Sequence, residues 1–307
     1  MKGRVFRSTG SWYDIITEDG QKFQGRLRGK FKQDGLKTNN PIAVGDYVLI
    51  DEANEEKGSA VITDILPREN YIIRKSTRKA RFSHILASNI DQALVLATIT
   101  FPRTSQGFID RFLVSAESFR IPALVIFNKK DIYKEKDLAK CQRLMDLYNS
   151  LGYESHLISA NDKADIEKVH ELIDGKTTLI SGHSGVGKST LMNQLNPELK
   201  LATGEVSTFA NKGTHTTTFA EMFDLGKETY LIDTPGIKEL GLVDMEDTEI
   251  SHYFPEMRQF IGECKFNNCT HMNEPGCRIH EAIEDGDIDE SRFISYMSIL
   301  EDHDSHR

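Results

Sequence analysis

This sequence of 307 residues lacks long apolar runs and a signal segment. No stretch approaches the roughly 18 apolar residues that a membrane span needs. The basic N-terminal residues Lys2, Arg4 and Arg7 are not followed by an apolar segment, so there is no sign of a signal peptide. We therefore expect a soluble, cytoplasmic protein that is monomeric and has no membrane partner.

An excess of basic charge is also missing, because the formal net charge is −9. This value argues against a generally basic nucleic-acid-binding protein. The charge is uneven, however: residues 1–50 have nine basic and five acidic side chains, and residues 68–81 have six and one. Residues 241–307 have five basic and sixteen acidic side chains. The basic first part is able to face phosphate, although solvated surface charge explains the same pattern.

Cysteine is scarce, and three of the four cysteines lie in one short segment. Cys264, Cys269, His271 and Cys277 fall within fourteen residues. In a cytoplasmic chain such a cluster indicates a metal site more than disulfides. Three thiolates and one imidazole complete a tetrahedral set, so we predict one structural Zn²⁺ ion. The alternative is a group of reduced, buried thiols.

Residues 1–67 are predicted to form an N-terminal OB-fold β-barrel that binds RNA. Short segments rich in β-branched and aromatic residues alternate there with turn signals such as Asp19-Gly20. Five short strands in this length suggest a small barrel of the OB type. Trp12, Tyr13 and Phe23 are candidates for stacking on bases, and equally for the barrel core.

Residues 68–240 alternate strand-like and helix-like segments, which predicts a mostly parallel sheet with helices on both faces. Ligands of such α/β domains bind at the carboxyl ends of the strands. Residues 241–307 are polar and mainly helical around the cysteine cluster, so we expect a helical zinc-binding domain. The predicted fold class is therefore multidomain α/β.

A phosphate-binding loop follows the predicted strand 177–181 and precedes a predicted helix. Its glycines allow backbone N–H groups to surround phosphate oxygens, and the following helix directs its positive end at the anion. Lys188 is expected to reach the β- and γ-phosphates, and Ser189 to bind Mg²⁺. The nucleotide-binding residues predicted here are Gly182, His183, Ser184, Gly185, Val186, Gly187, Lys188, Ser189 and Thr190.

A second loop, Asn128-Lys129-Lys130-Asp131, selects the base. The Asp131 carboxylate is able to accept two hydrogen bonds from the guanine edge, which adenine cannot supply, and an unpaired carboxylate is costly. Lys129 is expected to lie along the purine face, and Asn128 to connect this loop to the phosphate loop. Ser159 and Ala160, after the next strand, resemble a loop that offers a backbone N–H to the guanine oxygen.

A third segment, Asp233-Thr234-Pro235-Gly236, ends another predicted strand. Asp233 is expected to hold Mg²⁺ through water, and the Gly236 N–H to contact the γ-phosphate. Among the threonines of residues 213–218, Thr217 is the candidate Mg²⁺ ligand, and a threonine-rich strand is the alternative. We assign catalytic roles to Lys188, Ser189, His215, Asp233 and Gly236.

The base-selecting loop precedes the phosphate loop, which is the reverse of their order in most GTPases. With this order, the sequence resembles the RsgA (YjeQ/YloQ) family of circularly permuted bacterial GTPases over nearly its whole length. The resemblance implies GTP hydrolysis that depends on the small (30S) ribosomal subunit, rRNA binding near the decoding region, and a role late in maturation of that subunit. One residue departs from the family pattern: Thr214 stands where an arginine usually precedes the histidine.

The residue after Gly236 is Ile237, which cannot hydrogen-bond the attacking water as the glutamine of Ras-like GTPases does. We therefore expect slow intrinsic hydrolysis that a partner accelerates, with His215 as the candidate to orient the water and a structural role in the switch segment as the alternative for this histidine. Ser184 stands where K⁺-dependent GTPases often have asparagine, which argues against K⁺ dependence. The alternatives are a GTP-binding RNA assembly scaffold with negligible turnover, and a P-loop ATPase or small-molecule kinase.

Overall fold

The computed structural model describes residues 1–28, 41–52, 58–75, 83–202, 220–234 and 246–304. The strands are β1 (Lys2–Ser8), β2 (Tyr13–Thr17), β3 (Lys22–Leu27), β4 (Tyr47–Glu52), β5 (Ser59–Ile65), β6 (Tyr71–Lys75), β7 (Ser83–Ser88), β8 (Gln92–Ala97), β9 (Ala123–Phe127), β10 (Glu154–Leu157), β11 (Thr177–Ser181), β12 (Glu221–Gly226) and β13 (Thr229–Asp233). The α-helices are α1 (Gln106–Ser118), α2 (Glu135–Ser150), α3 (Lys163–Ile173), α4 (Lys188–Leu195), α5 (Pro255–Arg258), α6 (Arg278–Asp285) and α7 (Glu290–Asp304). None of these helices combines the length and the apolar character that crossing a membrane requires.

Strands β1 to β5 form the predicted OB-like barrel. The antiparallel pairs β1–β2, β2–β3 and β4–β5 are joined by the parallel pair β3–β5, and β1–β4 pairing closes the barrel. Tyr13 and Phe23 lie in its core, because alternate side chains of a strand point inward. Trp12 is 40% exposed, and the Arg26 guanidinium lies 4.3 Å from the centre of its ring.

The central sheet has the order β10-β9-β8-β11-β13-β12, in which all neighbours are parallel except β12 and β13. Strand β8 is buried along its whole length. Ala93, Val95 and Ala97 face the core under α1 and α2, whereas Leu94 and Leu96 face the core under α3 and α4. Helices therefore cover both faces, and the predicted fold class is confirmed.

One hairpin was not anticipated from the sequence. Strands β6 and β7 pair with each other in a separate two-stranded sheet. Ile72 and Ala87 bury against the core beneath α1, and Val44 of the barrel segment forms a bridge with Ala87. Many residues between 68 and 81 are basic, so the sequence shows no clear apolar pattern for these strands, which have only a few buried apolar positions.

The barrel and the central sheet are joined directly. Strand β1 pairs with β12 at Arg7 and Glu221, which makes one continuous sheet of the two parts. The Arg4 side chain donates to the Thr177 hydroxyl at 2.9 Å and lies over the Tyr230 ring. Burial lowers the pKa of Arg4, because the buried guanidinium loses its contacts with water. Its carbonyl, hydroxyl and aromatic neighbours replace those contacts.

A buried ion-pair network fixes the C-terminal region on α1. The Arg292 side chain on α7 is 1% exposed and donates to Asp110 of α1 and to Glu256 of α5, both at 2.6 Å. The Tyr148 hydroxyl of α2 also donates to Asp110, at 2.9 Å. Because charges buried in this way are stable only when paired, this network favours the arrangement in which α7 contacts both α1 and α5.

Candidate functional site: the nucleotide-binding edge of the sheet

The base-selecting loop directly follows β9, and the side chain of Tyr133 holds it in place. The Tyr133 hydroxyl donates to the Asn128 carbonyl at 2.6 Å and accepts from the Ile99 amide at 2.8 Å. The Asp131 carboxylate is exposed to solvent at the loop surface, and the Ser159 hydroxyl donates to one of its oxygens at 2.6 Å. This serine therefore orients a carboxylate that has acceptor capacity left for a ligand.

Two further contacts hold the lysines of this loop. The Lys130 ammonium pairs with Asp165 at 2.5 Å, and the same carboxylate accepts from the Ser159 amide at 2.7 Å. Lys129 has a left-handed backbone (φ 70°), and its ammonium donates to the Phe101 carbonyl at 2.7 Å. This contact fixes the end of a side chain whose four-carbon stem is suited to packing on a purine face.

The phosphate loop runs from the end of β11 into α4. Gly182 (φ 153°) and Gly187 (φ 101°) both have backbones that disfavour a side chain. A Cβ at Gly182 would lie 2.3 Å from the Leu96 carbonyl, and one at Gly187 would lie 2.4 Å from Asn128 Nδ2. The loop therefore needs glycine at both positions for close packing. Ser189 and Thr190 lie in the first turn of α4, which begins at Lys188, whereas Ser184 and Gly185 are exposed.

Asn128 joins the base-selecting loop to its two neighbours and is only 1% exposed. Its Nδ2 donates to the Val186 carbonyl of the phosphate loop at 2.9 Å. Its Oδ1 accepts from the Ala160 amide, also at 2.9 Å. One buried side chain of the base-selecting loop is therefore bonded both to the phosphate loop and to the Ser159–Ala160 loop. The Ala160 N–H is used in the second of these bonds.

Lys188 and Asp233 face each other across the phosphate loop. The Lys188 ammonium donates to the carbonyls of Gly182 and His183. Burial lowers the pKa of Lys188 and raises the pKa of Asp233, and each opposes the shift of the other. Two partly desolvated, opposite charges at the mouth of a phosphate loop suit an anion and a cation bound together.

One buried oxygen at this edge suits hydrated Mg²⁺. Asp233 Oδ1, Thr234 Oγ1 and Ser181 Oγ have no hydrogen-bond partner within the described ranges. Ile180 pairs with Asp233, so Asp233 lies beside the end of β11 from which the phosphate loop leaves, whereas Ser181, the next residue of β11, points to the opposite face of the sheet. A buried carboxylate oxygen without a partner is costly, and hydrated Mg²⁺ would satisfy Asp233 Oδ1. The predicted residues His215, Thr217 and Gly236 lie outside the described part of the chain.

The four predicted zinc ligands converge. Their ligand atoms all lie within 4.8 Å of one another. Cys264 Sγ is 3.6 Å from His271 Nδ1 and 4.0 Å from Cys277 Sγ, and His271 Nδ1 is 3.4 Å from Cys277 Sγ. Tetrahedral zinc with Zn–S bonds of about 2.3 Å needs ligand separations of about 3.5–3.8 Å. The donor set and the spacing therefore both fit Zn²⁺, and none of the cysteines is in a disulfide.

Several supporting residues carry no sequence motif. Tyr133 and Asp165 stand outside the motifs, although both fix the base-selecting loop. Phe108 of α1 stacks on the His183 ring of the phosphate loop, with ring centres 3.9 Å apart. Only their spacing from the motifs, two residues after Asp131 for Tyr133 and six after Ser159 for Asp165, could have suggested them.

Two family models match this chain. One, described as the RsgA GTPase, covers residues 65–243, which is more than half of the sequence, and the RsgA N-terminal domain covers residues 2–60. The chain belongs to the RsgA GTPase family. It is therefore a GTP-hydrolysing enzyme, and the resemblance drawn from its motifs is confirmed.

Relatives and solved structures of the RsgA family match at high coverage. "Small ribosomal subunit biogenesis GTPase RsgA 2" of Bacteroides thetaiotaomicron is 49% identical over 98% of this chain and 97% of that relative. "Small ribosomal subunit biogenesis GTPase RsgA" of Cytophaga hutchinsonii is 50% identical over 100% of both. YjeQ from Thermotoga maritima has a TM-score of 0.77 at 34% identity, covering 98% of this chain and 97% of that one. YloQ, described as a circularly permuted GTPase, has a TM-score of 0.73 at 26% identity, covering 100% and 96%.

Proposed function

We propose that this RsgA-family enzyme hydrolyses GTP on the small ribosomal subunit, binds its rRNA and acts late in its maturation. The names of its relatives support the subunit as the partner. The observation that carries the nucleotide assignment is Asn128, whose buried amide joins the Asp131 loop to the phosphate loop. A base held by Asp131 and phosphates held by Lys188 would then belong to one nucleotide.

The roles we propose combine the arrangement of the described residues at that edge with the sequence motifs. Asp131 accepts from the guanine edge, with Ser159 and Ala160 flanking it, and Lys129 packs on the purine face. Lys188 neutralises the β- and γ-phosphates. Ser189, Asp233 and Thr217 hold Mg²⁺, which supplies charge neutralisation of the phosphates when it is bound. Gly236 is assigned to contact the γ-phosphate through its N–H. Loss of that phosphate on hydrolysis would then release the loop that contains Gly236.

Slow turnover without the partner is part of this proposal. Ile237 offers no hydrogen bond to the attacking water, so the chain lacks the usual water-orienting group after Gly236. We assign that task to His215, and propose that binding to the small subunit completes the site. Precise positioning is the main source of catalysis in phosphoryl transfer, which makes a partner-completed site an effective control of the rate.

Two further regions have supporting roles in the proposal. Zn²⁺ at the Cys264–Cys277 cluster stabilises the C-terminal region, since the site has four protein ligands and none is left open for chemistry. The barrel contributes RNA contacts, for which exposed Trp12, stacked on Arg26, is the structural support. Aromatic rings beside cations suit bases and phosphates respectively.

The partner and the switch are tested together by co-sedimentation of the full chain with purified small subunits. We expect affinity in a non-hydrolysable GTP analogue to exceed that in GDP by at least about fivefold, the low end of typical couplings. A ligand shifts only an equilibrium whose states it binds differently. Large subunits serve as the negative control, and Lys188→Ala should abolish the nucleotide effect. Equal affinity in both nucleotide states, or no binding to small subunits, would refute the proposal.

A further inference from the structure

An exposed aromatic residue stands beside the base-selecting loop. Phe101, in the loop between β8 and α1, is 77% exposed, the largest exposure of any large hydrophobic side chain in the described ranges. Its backbone is in the left-handed region (φ 47°), which is unfavourable for a bulky residue. Such strain persists only where the surrounding structure imposes it, and it is concentrated at functional sites.

The Phe101 loop is held tightly in place. Thr98 donates through its amide to the Thr104 hydroxyl at 3.0 Å and accepts the Thr104 amide at 2.8 Å. The Thr98 hydroxyl also donates to the Pro102 carbonyl. The Lys129 ammonium also donates a hydrogen bond to the Phe101 carbonyl. The ring is therefore presented to solvent by a fixed backbone, which lowers the entropy lost when a ligand binds it.

Three cations lie in the Phe101 loop and on the helix that adjoins it. Arg103 is two residues after Phe101, and the Ile99 amide of the same connection donates to the hydroxyl of Tyr133, just before α2. Lys140 and Arg143 are three residues apart on α2, and are therefore neighbours on one helix face. Burial and the positive charges of Arg103 and Arg143 lower the pKa of Lys140, in keeping with this placement. Asp137 is the acidic group that opposes this shift. No ion pair involves Arg103, Lys140 or Arg143 in the part of the chain that the structure describes.

This arrangement contributes little to stability, because Asp137 and Asp146, each three residues from one of the α2 cations, form no ion pair with them in the described ranges. Like charges on neighbouring helix positions are mildly destabilising, and the exposed ring gains nothing from burial. Both costs disappear against a ligand that supplies negative charge at intervals and a flat apolar face. Single-stranded nucleic acid has this combination, because its phosphates pair with cations while its bases stack on aromatic rings.

We propose that Phe101, Arg103, Lys140 and Arg143, which we call the α2 face, bind a single-stranded RNA segment of the small ribosomal subunit. Phosphates lie on the three cations, and one base stacks on Phe101. The proposal rests on the proposed function, which supplies the RNA. It adds a contact surface separate from the barrel and adjoining the base-selecting loop, because Phe101 contacts Lys129.

The test measures small-subunit affinity of the full chain in a GTP analogue across a range of salt concentrations. The α2-face variant is Lys140→Gln/Arg143→Gln, and its matched control is Lys163→Gln/Lys168→Gln, which removes two exposed cations from α3. We expect about tenfold weaker binding for the first variant only, with the slope of log affinity against log salt reduced by about 1.4. Subunit-independent GTP hydrolysis should stay unchanged in both.

Phe101→Ser separates stacking from charge. We expect about tenfold weaker binding, within the range for loss of one stacked base, with no change in the salt slope. A photoreactive benzoylphenylalanine at position 101 should crosslink to rRNA. Crosslinks to a ribosomal protein alone would overturn the RNA assignment. The proposal would also be overturned if the α2-face variant bound small subunits as tightly as its control and the unaltered chain. Equal weakening of binding in the α2-face variant and its control would overturn it as well. If the unaltered chain does not bind small subunits, the proposed function itself fails.

Discussion

Replacing Asp131 with asparagine is expected to weaken GTP binding about a thousandfold and to give the enzyme a preference for xanthosine triphosphate. The carboxylate is proposed to accept two charge-assisted hydrogen bonds, each contributing about 1.5–3 kcal/mol. An amide at this position would instead present a donor to the guanine amine. Xanthine carries a carbonyl oxygen there, which restores the complementary pair.

This substitution suits the site because the loop should keep its shape. An asparagine oxygen is still able to accept from the Ser159 hydroxyl, which lies 2.6 Å from the present carboxylate. Dissociation constants for GTP, XTP and ATP are measured by competition against a fluorescent guanine nucleotide. Asp174→Asn, an exposed acid at the end of α3, is the control that should change none of them. An unchanged GTP-to-XTP ratio in Asp131→Asn would remove Asp131 from base recognition.

Replacing Cys277 with serine is expected to lower the zinc content from one ion per chain to none and to unfold the C-terminal region. Structural zinc contributes about 10 kcal/mol or more to small zinc-dependent folds, comparable with the whole stability of a domain. The cluster also lies against the local apolar core, where Cys269 and Cys277 are both buried among Ile279 and Tyr296. Loss of the ion would thus loosen packing well beyond the ligands.

Zinc content by atomic absorption and limited proteolysis with mass mapping give the two readouts. Cys141→Ser is the matched control: this buried cysteine lies on α2, far along the chain from the cluster, and its loss should leave zinc content unchanged. New cleavage sites between residues 246 and 304 are expected only in Cys277→Ser. One zinc ion per chain in that variant, with an unaltered cleavage pattern, would contradict a four-ligand structural site.

Contacts within a short stretch of chain were the part of the site that sequence could predict. The phosphate loop is encoded by contiguous residues after β11, and its glycines are required by local backbone geometry. The convergence of the cysteine cluster is similar, because its four ligands span fourteen residues. The alternation of strands and helices also predicted the sheet, since helices on both faces follow from that pattern.

Contacts between segments that are far apart along the chain could not be predicted from this single sequence. Arg292 and Asp110 are 182 residues apart, and nothing in either neighbourhood indicates that they meet as a buried ion pair. The Tyr133 hydroxyl contact with Ile99 is of the same kind. The β6–β7 hairpin was missed because its basic residues mask a short apolar pattern. Each of these depends on tertiary packing, which overrides local preference.

The measurement that tests the central claim most directly is steady-state GTP hydrolysis by the full chain alone, with small subunits and with large subunits. We expect slow turnover alone, strong stimulation by small subunits only, and loss of both in Lys188→Ala. That outcome would establish a GTPase completed by its partner. Tight GTP binding with no stimulation by small subunits would contradict the account and favour an RNA assembly scaffold that holds GTP without turnover.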